Sequence, residues 1–556
     1  MQVRSNLEFR IMVVSKHWVT KITDRIEDYW SDERKPILIC NGGLSVSGLQ
    51  HIGRLRGEII LVESVRRILE DRGWKTRHIL VLYTQDSWKG KDAQLKAFGD
   101  IDANRYTGWR LIDVPDPYGC CDNWVEHYWM DFGPYIEEFS EKVEIYKTTD
   151  LYRMDSMKEI VREIVSKRSS VVDVLNRFRG RNPFPESWTP FEPLCGNCKR
   201  IDSSEPIYVD LESYKVSYRC RFCGYEDVSS MEDGKLYWRL EWPALWKALD
   251  VGFEPYGKDH ATPGGSRDSC VEVAREILRF KPPFGIPYEW VGYSVKGRDL
   301  GDMGSSDFIG FTPREWLRVA EPEALRFYFL VNEPMKRVVL SLDQIYKYTD
   351  LYDRAERIFF DVESLDNREE LLSMKESYLL STRFNPPPRL PFQLPYLHAV
   401  LLVQVLPKDD RVEAAIKRLK STGILTSELE SWELDKLKAR LTYAENWLEL
   451  YAPDEFKVKM LEYPPEDIME GLGYREKYML KGLLETLSSC IWSEEYIKEA
   501  MKSYTSRLGR KDQEALFRSL YLILFGKPYG PRIAPFLSLM DRDFILSRLR
   551  MAVEDL

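Results

Sequence analysis

The first part of the chain alternates short apolar runs with amphipathic stretches. Residues 37–40 (ILIC) form an apolar run, small residues dominate the segment 41–50 (NGGLSVSGLQ), and an amphipathic pattern extends from His51 to about Arg72. The run RHILVLY, which ends at Tyr83, predicts a second buried strand. Strand, loop, helix and strand form a βαβ unit, whose loop lies at the carboxyl end of the first strand. The pattern therefore predicts an α/β fold with a ligand loop at this position.

Apolar runs of strand length return only after a long interval. The segments 252–260 (GFEPYGKDH) and 287–293 (PYEWVGY) each contain one, with a helical pattern between them. The stretch 86–240 is therefore expected to be an insertion in a split sheet. After Pro334 the strand-like runs stop, and the Pro-rich segment 385–395 predicts a domain boundary or linker.

The last part of the chain has a helical pattern. Apolar residues recur there at intervals of about 3.6, and Gly, Pro and charged residues separate the periodic segments. Six segments share this spacing: 409–420, 426–451, 475–488, 493–507, 511–525 and 535–551. They predict a bundle or cage of helices.

The composition is that of a soluble globular protein. Of 556 residues, 44% are hydrophobic and 30% are charged, which argues against a disordered or fibrous chain. No stretch reaches the roughly 18 apolar residues of a membrane helix, and the N-terminus lacks the apolar block of a signal peptide. We therefore expect a cytoplasmic protein without a membrane anchor. Residues 1–11 precede a more globular pattern that follows Met12, and we assign them no function.

The overall charge gives no general attraction to nucleic acid. The formal net charge is −9, so any binding of a polyanion depends on local basic patches. Two candidates are the segment 177–181 (RFRGR) and the cluster Lys417, Arg418 and Lys420. Such charge runs more often form a solvated helix face.

Four of the nine cysteines form two CxxC pairs. Cys195 and Cys198 make the first pair, and Cys220 and Cys223 make the second. Four thiolates in this arrangement suit tetrahedral zinc, and four protein ligands leave no open position for catalysis. The pattern thus predicts a structural zinc site. The alternative is a chance pairing of four buried cysteines.

A second set of metal-ligand residue types occupies a short segment. Asp116, Cys120, Cys121 and His127 have the spacing D-x3-CC-x5-H and offer oxygen, sulfur and nitrogen donors. We expect a second zinc site here. The alternative is that Asp116 caps a helix start, the cysteines are reduced and buried, and His127 lies on a helix face.

The loop after the first strand has the residue types of an anion site. Its small residues are Gly42, Gly43, Ser45, Ser47 and Gly48. They precede His51 and Gly53 at a predicted helix N-terminus, where backbone N–H groups favour a phosphate chain. His51 could donate a hydrogen bond to a transferring phosphoryl group, and Gly53 would let a base pack against bare backbone. An ordinary Gly-rich turn with a capping His is the alternative.

Longer motifs resolve this ambiguity. The segment GLSVSGLQHIGRLRGEI resembles the HIGH-motif region of class I lysyl-tRNA synthetases. The segments VPDPYGCCDNWVEHY, YWRLEWPALWKAL, FEPYGKDHATPGGSRDS, YEWVGYSVKG, TPREWLRVAEPEALRFYFL and YLILFGKPYGPRIAPFL resemble that family in the same order. The resemblance covers essentially the whole chain. Cys121 stands where the family often has histidine, an exchange that keeps a zinc-ligating residue type.

The resemblance implies a fold and a reaction. It implies a Rossmann-type parallel-sheet catalytic domain with a zinc-binding insertion, followed by an all-α anticodon-binding domain. The carboxylate of L-lysine would attack the α-phosphate of ATP, and the lysyl group of the adenylate would then pass to the terminal ribose of tRNA(Lys). ATP with Mg²⁺, Zn²⁺ and a monomeric state are implied as well.

The resemblance also divides the chain into five ranges. We expect 1–85 to be the first half of the catalytic domain, 86–240 the zinc-binding insertion, 241–335 the second half, 336–384 a helical linker, and 385–556 the anticodon-binding domain.

The family's site residues transfer to matching positions. Lysine binding would involve Gly43, Ser45, Trp238, Asp259, His260, Tyr288 and Glu289. ATP binding would involve Ser47, His51, Gly53, Met303, Ser305 and Ser306. His51, Gly53 and Arg54 would act in catalysis. Glu289 would be the acidic partner of the lysine ammonium. Packing in the core is the alternative for Trp238, and a surface charge at a strand end is the alternative for Glu289.

One family motif is inverted in charge. The family's mobile phosphate loop has the form KMSSSKG, whereas residues 302–307 read Asp-Met-Gly-Ser-Ser-Asp, and we name them the acidic loop. Asp302 and Asp307 replace both lysines, and an anion beside a polyphosphate is repulsive. Lys296 and Arg298 lie a few residues upstream and could substitute.

Two further departures lie near the first loop. Arg54 stands where the family has asparagine, and Val46 replaces a usual proline. Arg54 could contact phosphate, or it could be a solvated helix residue. The competing hypothesis is a catalytically impaired paralogue that binds tRNA, lysine or a regulatory partner.

Overall fold

The computed structural model describes residues 17–99, 101–457, 463–530 and 532–554. The chain forms two compact units. The first contains the described residues up to Leu317, with Glu321–Leu340 and Ala355–Pro386, and the second contains Arg318–Ala320, Ser341–Arg354 and the described residues from Pro387 onward. The segment 1–11, to which we assigned no function, lies outside the described residues.

Fourteen strands lie in the described part of the first unit. They are β1 Leu38–Leu44, β2 Thr76–Leu82, β3 Val143–Lys147, β4 Phe191–Pro193, β5 Ser204–Asp210, β6 Lys215–Cys220, β7 Glu226–Ser230, β8 Gly234–Leu236, β9 Val251–Phe253, β10 Tyr256–Gly257, β11 Pro287–Tyr288, β12 Val291–Val295, β13 Arg298–Asp302 and β14 Val338–Leu340. The main sheet is parallel, with the order β3-β2-β1-β9. A parallel pair β10-β11 and a sheet β13-β12-β14 follow, and β4-β8 and β5-β6-β7 are antiparallel.

The apolar runs of β1 and β2 fit a sheet that is covered on both faces. Ile39 and Ile79 pack with Trp242 and Trp246, which lie on the helix Trp238–Ala248. On the opposite side, the helix that follows the first loop opens with a π-type turn, Arg56–Leu61, and continues as Val62–Asp71. Strands buried on both faces need near-continuous apolar sequence, as observed.

The remaining helices of the first unit are Trp18–Tyr29, Asp92–Lys96, Trp124–Trp129, Thr148–Leu151, Asp155–Ser166, Arg168–Asn176, Ser266–Glu272 with its π-type continuation Val273–Ile277, Pro313–Leu317, Pro322–Leu330 and Arg368–Ser381. The helix Ile345–Phe359 contributes residues to both units. None of the described helices combines the length and apolar character needed to cross a membrane.

The second unit is helical in its described part. Its helices are Tyr396–Val405, Arg411–Ser421, Ser431–Leu450, Glu466–Gly471, Tyr474–Ser488, Glu494–Thr505, Arg510–Phe525, Ile533–Leu539 and Arg542–Ala552. Arg440 ties two segments of this unit together, because it donates to both carboxylate oxygens of Asp353, at 2.8 and 2.9 Å, and to the Leu394 carbonyl.

The predicted fold class is confirmed, with three local differences. The strand β14 follows Pro334 and pairs with β12, so the expectation that strands stop there was wrong. The strand β3 joins the main sheet although it lies within 86–240. The segment 535–551 is not one helix, because Asp541 accepts a hydrogen bond from the Phe544 backbone N–H at 2.9 Å and caps a new helix.

We predict that Gly42→Ala loosens the main sheet. A Cβ atom on Gly42 would lie 2.6 Å from the backbone oxygen of Glu58, so β1 and the following helix would have to separate, at a cost of about 1–3 kcal/mol. Hydrogen-exchange protection of residues 38–44 should fall. Gly471→Ala is the control, because no heavy atom of the described residues lies within 4 Å of its added Cβ. Equal protection of β1 in both variants would contradict this packing argument.

Candidate functional site

A cavity of about 390 Å³ opens at the carboxyl ends of β1 and β9, and we name it the main cavity. This is where parallel α/β sheets usually bind ligands. Ten of the residues predicted from the sequence line it: Gly43, His51, Gly53, Arg54, Trp238, Asp259, His260, Tyr288, Met303 and Ser305. The fold therefore gathers positions that are separated by up to 262 residues along the chain.

The other predicted binding residues lie elsewhere. Ser45, Ser47 and Ser306 line a second cavity of about 540 Å³, which shares Gly43, Arg54, Trp238 and His260 with the main cavity. Glu289 lines neither cavity. Its carboxylate lies 2.5 Å from the Lys258 ammonium and also accepts the Trp290 backbone N–H at 2.8 Å.

Two buried carboxyl groups, which the sequence reasoning missed, line the main cavity. Glu58 and Glu254 are 5% and 2% exposed. The available signals were an acidic residue within the apolar run GEIIL and another directly after the β9 strand. An acidic side chain in an otherwise buried run is uncommon unless it is paired or functional.

Glu58 is held by β1 and by β11. Its carboxylate accepts the Gly43 backbone N–H at 2.8 Å and the Tyr288 hydroxyl. Burial raises the pKa of Glu58 to about 7, and these two hydrogen bonds and Arg54 oppose the rise. Burial likewise raises the pKa of Tyr288 well above its usual value, so this hydroxyl keeps its proton. A bound cation would stabilise the ionised form of Glu58.

Glu254 lies under an aromatic wall. It accepts hydrogen bonds from the indole nitrogens of Trp242, at 3.0 Å, and Trp246, and burial raises its pKa. Trp238 stacks on Trp242, with ring centroids 5.3 Å apart, and meets the edge of Tyr83 at 5.2 Å. Aromatic faces with carboxylates at one end suit an aliphatic chain that ends in an ammonium group.

His51 and Arg54 bring polar atoms without protein partners to the same cavity. The His51 Nδ1 and the Arg54 Nε are buried and have no hydrogen-bond partner among the residues that the structure describes. Burial lowers the pKa of His51 well below its usual value, so the ring is neutral and one nitrogen can donate. Arg54 also donates to the Ser305 hydroxyl at 3.2 Å. An anion in the cavity would satisfy these groups.

The acidic loop is paired with cations from other segments. Asp307 lies 2.9 Å from the Lys91 ammonium, and Asp302 accepts from Arg337 at 2.9 Å. Lys296 and Arg298, the two cations suggested from the sequence, are exposed on the hairpin that joins β12 to β13 and are not among the residues that line either cavity.

The four cysteines of the CxxC pairs come together. The Sγ atoms of Cys195 and Cys223 are 3.7 Å apart, and those of Cys198 and Cys220 are 3.6 Å apart. All four lie within 4.8 Å of one another. Zinc–sulfur bonds of about 2.3 Å imply tetrahedral edges of about 3.8 Å, so the group fits zinc.

The second predicted set also comes together. Asp116, Cys120, Cys121 and His127 offer ligand atoms within 4.8 Å of one another. The His127 Nδ1 lies 3.2 Å from the Cys120 Sγ and 3.1 Å from an Asp116 oxygen. Asp116 also accepts the backbone N–H groups of both cysteines, at 2.6 and 2.7 Å, so it orders the turn. The cap of the following helix is Asn123, not Asp116.

Comparison with known proteins shows similarity along nearly the full length. Residues 16–382 match the family described as "tRNA synthetases class I (K)", and residues 398–553 match the family described as "Anticodon binding domain". The lysine--tRNA ligase of Aeropyrum pernix is 46% identical over 539 residues, covering 96% of this chain and 98% of that protein. The lysine--tRNA ligases of Methanocaldococcus jannaschii and Pyrococcus horikoshii are each 30% identical, covering 96% of this chain and 99% of each protein.

We predict that Cys198→Ser removes one zinc ion per chain and loosens the insertion. Metal binding supplies much of the folding free energy of small zinc knuckles, so limited proteolysis between residues 195 and 223 should accelerate. Elemental analysis gives the metal content. Cys490→Ser is the matched control, because Cys490 lies outside both ligand groups. Unchanged zinc content in Cys198→Ser would contradict the assignment.

Proposed function

The chain belongs to the class I lysyl-tRNA synthetase family, and we propose that it is a lysine--tRNA ligase that uses ATP to attach L-lysine to tRNA(Lys). One observation carries the proposal. The main cavity is lined by two anion-seeking groups, His51 and Arg54, and also by an aromatic wall with the buried carboxyl groups of Glu58 and Glu254. An aminoacyl adenylate of lysine needs both kinds of environment in one cavity.

The proposed reaction has two transfers. A carboxylate oxygen of lysine attacks the α-phosphorus of ATP, the bond from that phosphorus to the bridging oxygen breaks, and pyrophosphate leaves with the electron pair. The terminal ribose hydroxyl of the tRNA then attacks the carbonyl carbon, AMP leaves, and the hydroxyl proton passes to solvent. A neutral His51 can donate a hydrogen bond to the α-phosphate oxygens as their charge develops.

We assign the lysine side chain to the aromatic end of the main cavity. Its methylene groups would lie along Trp238 and Tyr83, and its ammonium would meet Glu58 and Glu254. Glu289 is already neutralised by Lys258, which supports a secondary role for it. The other lysine-binding assignments are Gly43, Ser45, Asp259, His260 and Tyr288.

We assign the adenylate end to the two loops. Ser47, His51, Gly53, Met303, Ser305 and Ser306 would hold ATP, and Mg²⁺ would accompany its phosphates. Gly53 borders the cavity, and the nucleoside would pack beside it. This division places the carboxylate of lysine and the α-phosphate of ATP near the boundary between the two ends.

The remaining assignments concern metals and tRNA. We propose structural zinc at the CxxC pairs and a second zinc at the set Asp116, Cys120, Cys121 and His127. The helical segment that matches an anticodon-binding family would read tRNA(Lys). The protein would act as a monomer in the cytoplasm.

We predict lysine-dependent exchange of pyrophosphate with ATP by the purified protein. Arginine should support this exchange at least about a hundredfold less, because its planar guanidinium does not fit carboxylates arranged for an ammonium. The impaired-paralogue hypothesis predicts lysine binding without exchange. Absence of exchange, with lysine still stabilising the fold against heat, would therefore favour the paralogue.

We predict that Glu58→Gln weakens lysine binding by about 10- to 150-fold, because a hydrogen bond to a charged group contributes roughly 1.5–3 kcal/mol. Isothermal titration measures the affinity. Glu289→Gln is the matched control and should change the affinity little, since Lys258 already neutralises Glu289. If Glu289→Gln instead weakened lysine binding more than Glu58→Gln does, Glu289 would be the partner of the lysine ammonium, as the sequence predicts.

Lysine affinity should also depend on pH. The raised pKa of Glu58, about 7, keeps its carboxyl neutral below that value, so ammonium binding must displace a proton. Affinity should fall by up to about tenfold for each pH unit below 7 and level off above it. Arg54, Glu254 and Tyr288 are the other ionisable groups that act on this carboxyl. Glu58→Gln should flatten the profile, and an unchanged profile would contradict the assignment.

A further inference from the structure

The acidic loop carries no cation of its own, yet cations from other segments contact it. Lys91 precedes the helix Asp92–Lys96 and lies 2.9 Å from Asp307. Arg54, at the start of the helix that follows the first loop, donates to the Ser305 hydroxyl at 3.2 Å. In the family motif that this loop resembles, lysine occupies the Asp307 position. The polarity of the contact is therefore reversed, because the loop here supplies the acceptors.

Arg54 and Lys91 differ in their burial and in their hydrogen-bond partners. Arg54 lines the main cavity and keeps a buried Nε without a hydrogen-bond partner. A buried donor of this kind costs free energy unless a ligand supplies the acceptor. Lys91 lines neither cavity itself, but its partner Asp307 lines the main cavity. Both side chains are about half exposed, so this ion pair is weak and Lys91 can exchange Asp307 for a stronger anion at the edge of the cavity.

The acidic loop makes a close backbone contact with the first loop, and the residue after the acidic loop packs against the helix Trp124–Trp129. A Cβ on Gly48 would lie 2.4 Å from the backbone oxygen of Ser305, so the two loops touch closely there. Phe308 packs against Tyr128 and Trp124, with ring centroids 5.2 and 6.3 Å apart. Side chains that are already fixed before the substrate binds do not have to be ordered in the transition state, so stabilising it costs less free energy.

We propose that Arg54 and Lys91 are the cations that contact the β- and γ-phosphates of ATP in this protein, and that Ser305 and Asp307 of the acidic loop are positioning residues that hold them. The inference rests on the proposed function. Pyrophosphate leaves with the electron pair of the bond to the α-phosphorus, and the two cations stabilise the charge that develops on it. No proton moves in this step.

The test is lysine-dependent pyrophosphate exchange, measured as kcat and as KM for ATP. Arg54→Ala should lower kcat/KM for ATP by about 100- to 1000-fold, and Arg54→Lys should recover part of the loss. Lys91→Asp should lower it by at least tenfold, and the exchanged pair Lys91→Asp/Asp307→Lys should recover most of that loss. The melting temperature of each variant is measured beside the kinetics, because a merely structural role for the pair would lower and restore stability together with kcat/KM for ATP, whereas the proposed role changes kcat/KM alone.

Matched controls separate this charge effect from other causes. Lys296→Ala and Arg298→Ala remove cations from the exposed hairpin and should leave exchange within about twofold of the wild-type value. Heat stabilisation by lysine should persist in all variants, because lysine binds at the other end of the cavity. Loss of the stabilisation by lysine would identify a misfolded variant. In that case, the ATP analogue AMPPNP is titrated into Arg54→Lys and into the wild type. Weaker binding to Arg54→Lys supports contact between Arg54 and the phosphates, and equal binding contradicts it.

Two results would overturn the inference. In the first, Arg54→Ala and Lys91→Asp keep wild-type exchange. In the second, Asp302→Lys/Asp307→Lys raises exchange by orders of magnitude, which would mean that the loop lost its cations without replacement. Failure of the proposed function looks different, because the wild-type protein would then show neither exchange nor stabilisation by lysine.

Discussion

The hydrogen bond from the Gly43 backbone N–H to the Glu58 carboxylate joins the first strand to the helix that follows it. It requires β1 and that helix to approach closely, and Gly42 permits this because its Cα lies against the Glu58 backbone. Gly57 lets the Tyr288 ring lie on the same helix, since a Cβ there would be 2.2 Å from the ring. These contacts together place a carboxyl group at the floor of the main cavity.

A buried carboxyl group is costly, and this cavity contains two. Neither Glu58 nor Glu254 has a lysine or arginine ion-pair partner among the described residues. Burial consequently raises the pKa of both. Burying these two carboxyl groups lowers the stability of the ligand-free protein. A bound cation offsets this cost, so the two buried carboxyl groups also give selectivity for an ammonium ligand.

The same cavity also contains groups of the complementary charge. The His51 Nδ1 and the Arg54 Nε have no hydrogen-bond partner among the described residues. Asp302 and Asp307 of the acidic loop also line the cavity, but Arg337 and Lys91 are paired with them. The inversion of the loop therefore does not by itself imply repulsion of ATP. A sequence motif shows only which residue type stands at a position. The electrostatic field at the phosphates depends on every charge within about a Debye length.

Sequence patterns alone were sufficient for much of the architecture. The periodicity of β1 and β2, the helical second unit and the two CxxC pairs depend on local rules, because strand burial, helix spacing and ligand spacing are properties of neighbouring residues. Family motifs likewise identified ten of the residues that line the main cavity. Short elements such as β14 were missed, since a three-residue strand has no period to detect.

Only the tertiary structure decided which charges meet. Glu289 had the right residue type for an ammonium partner, but in the structure it forms an ion pair with Lys258, which lies 31 residues earlier in the chain. Glu58 and Glu254 stood out only as acidic residues within or next to apolar runs, and the fold alone showed that both are buried beside one cavity. Lys91 and Asp307 are 216 residues apart and make contact only because their loops meet. Electrostatic partnership depends on distance in space and on burial, and neither quantity is a function of local sequence.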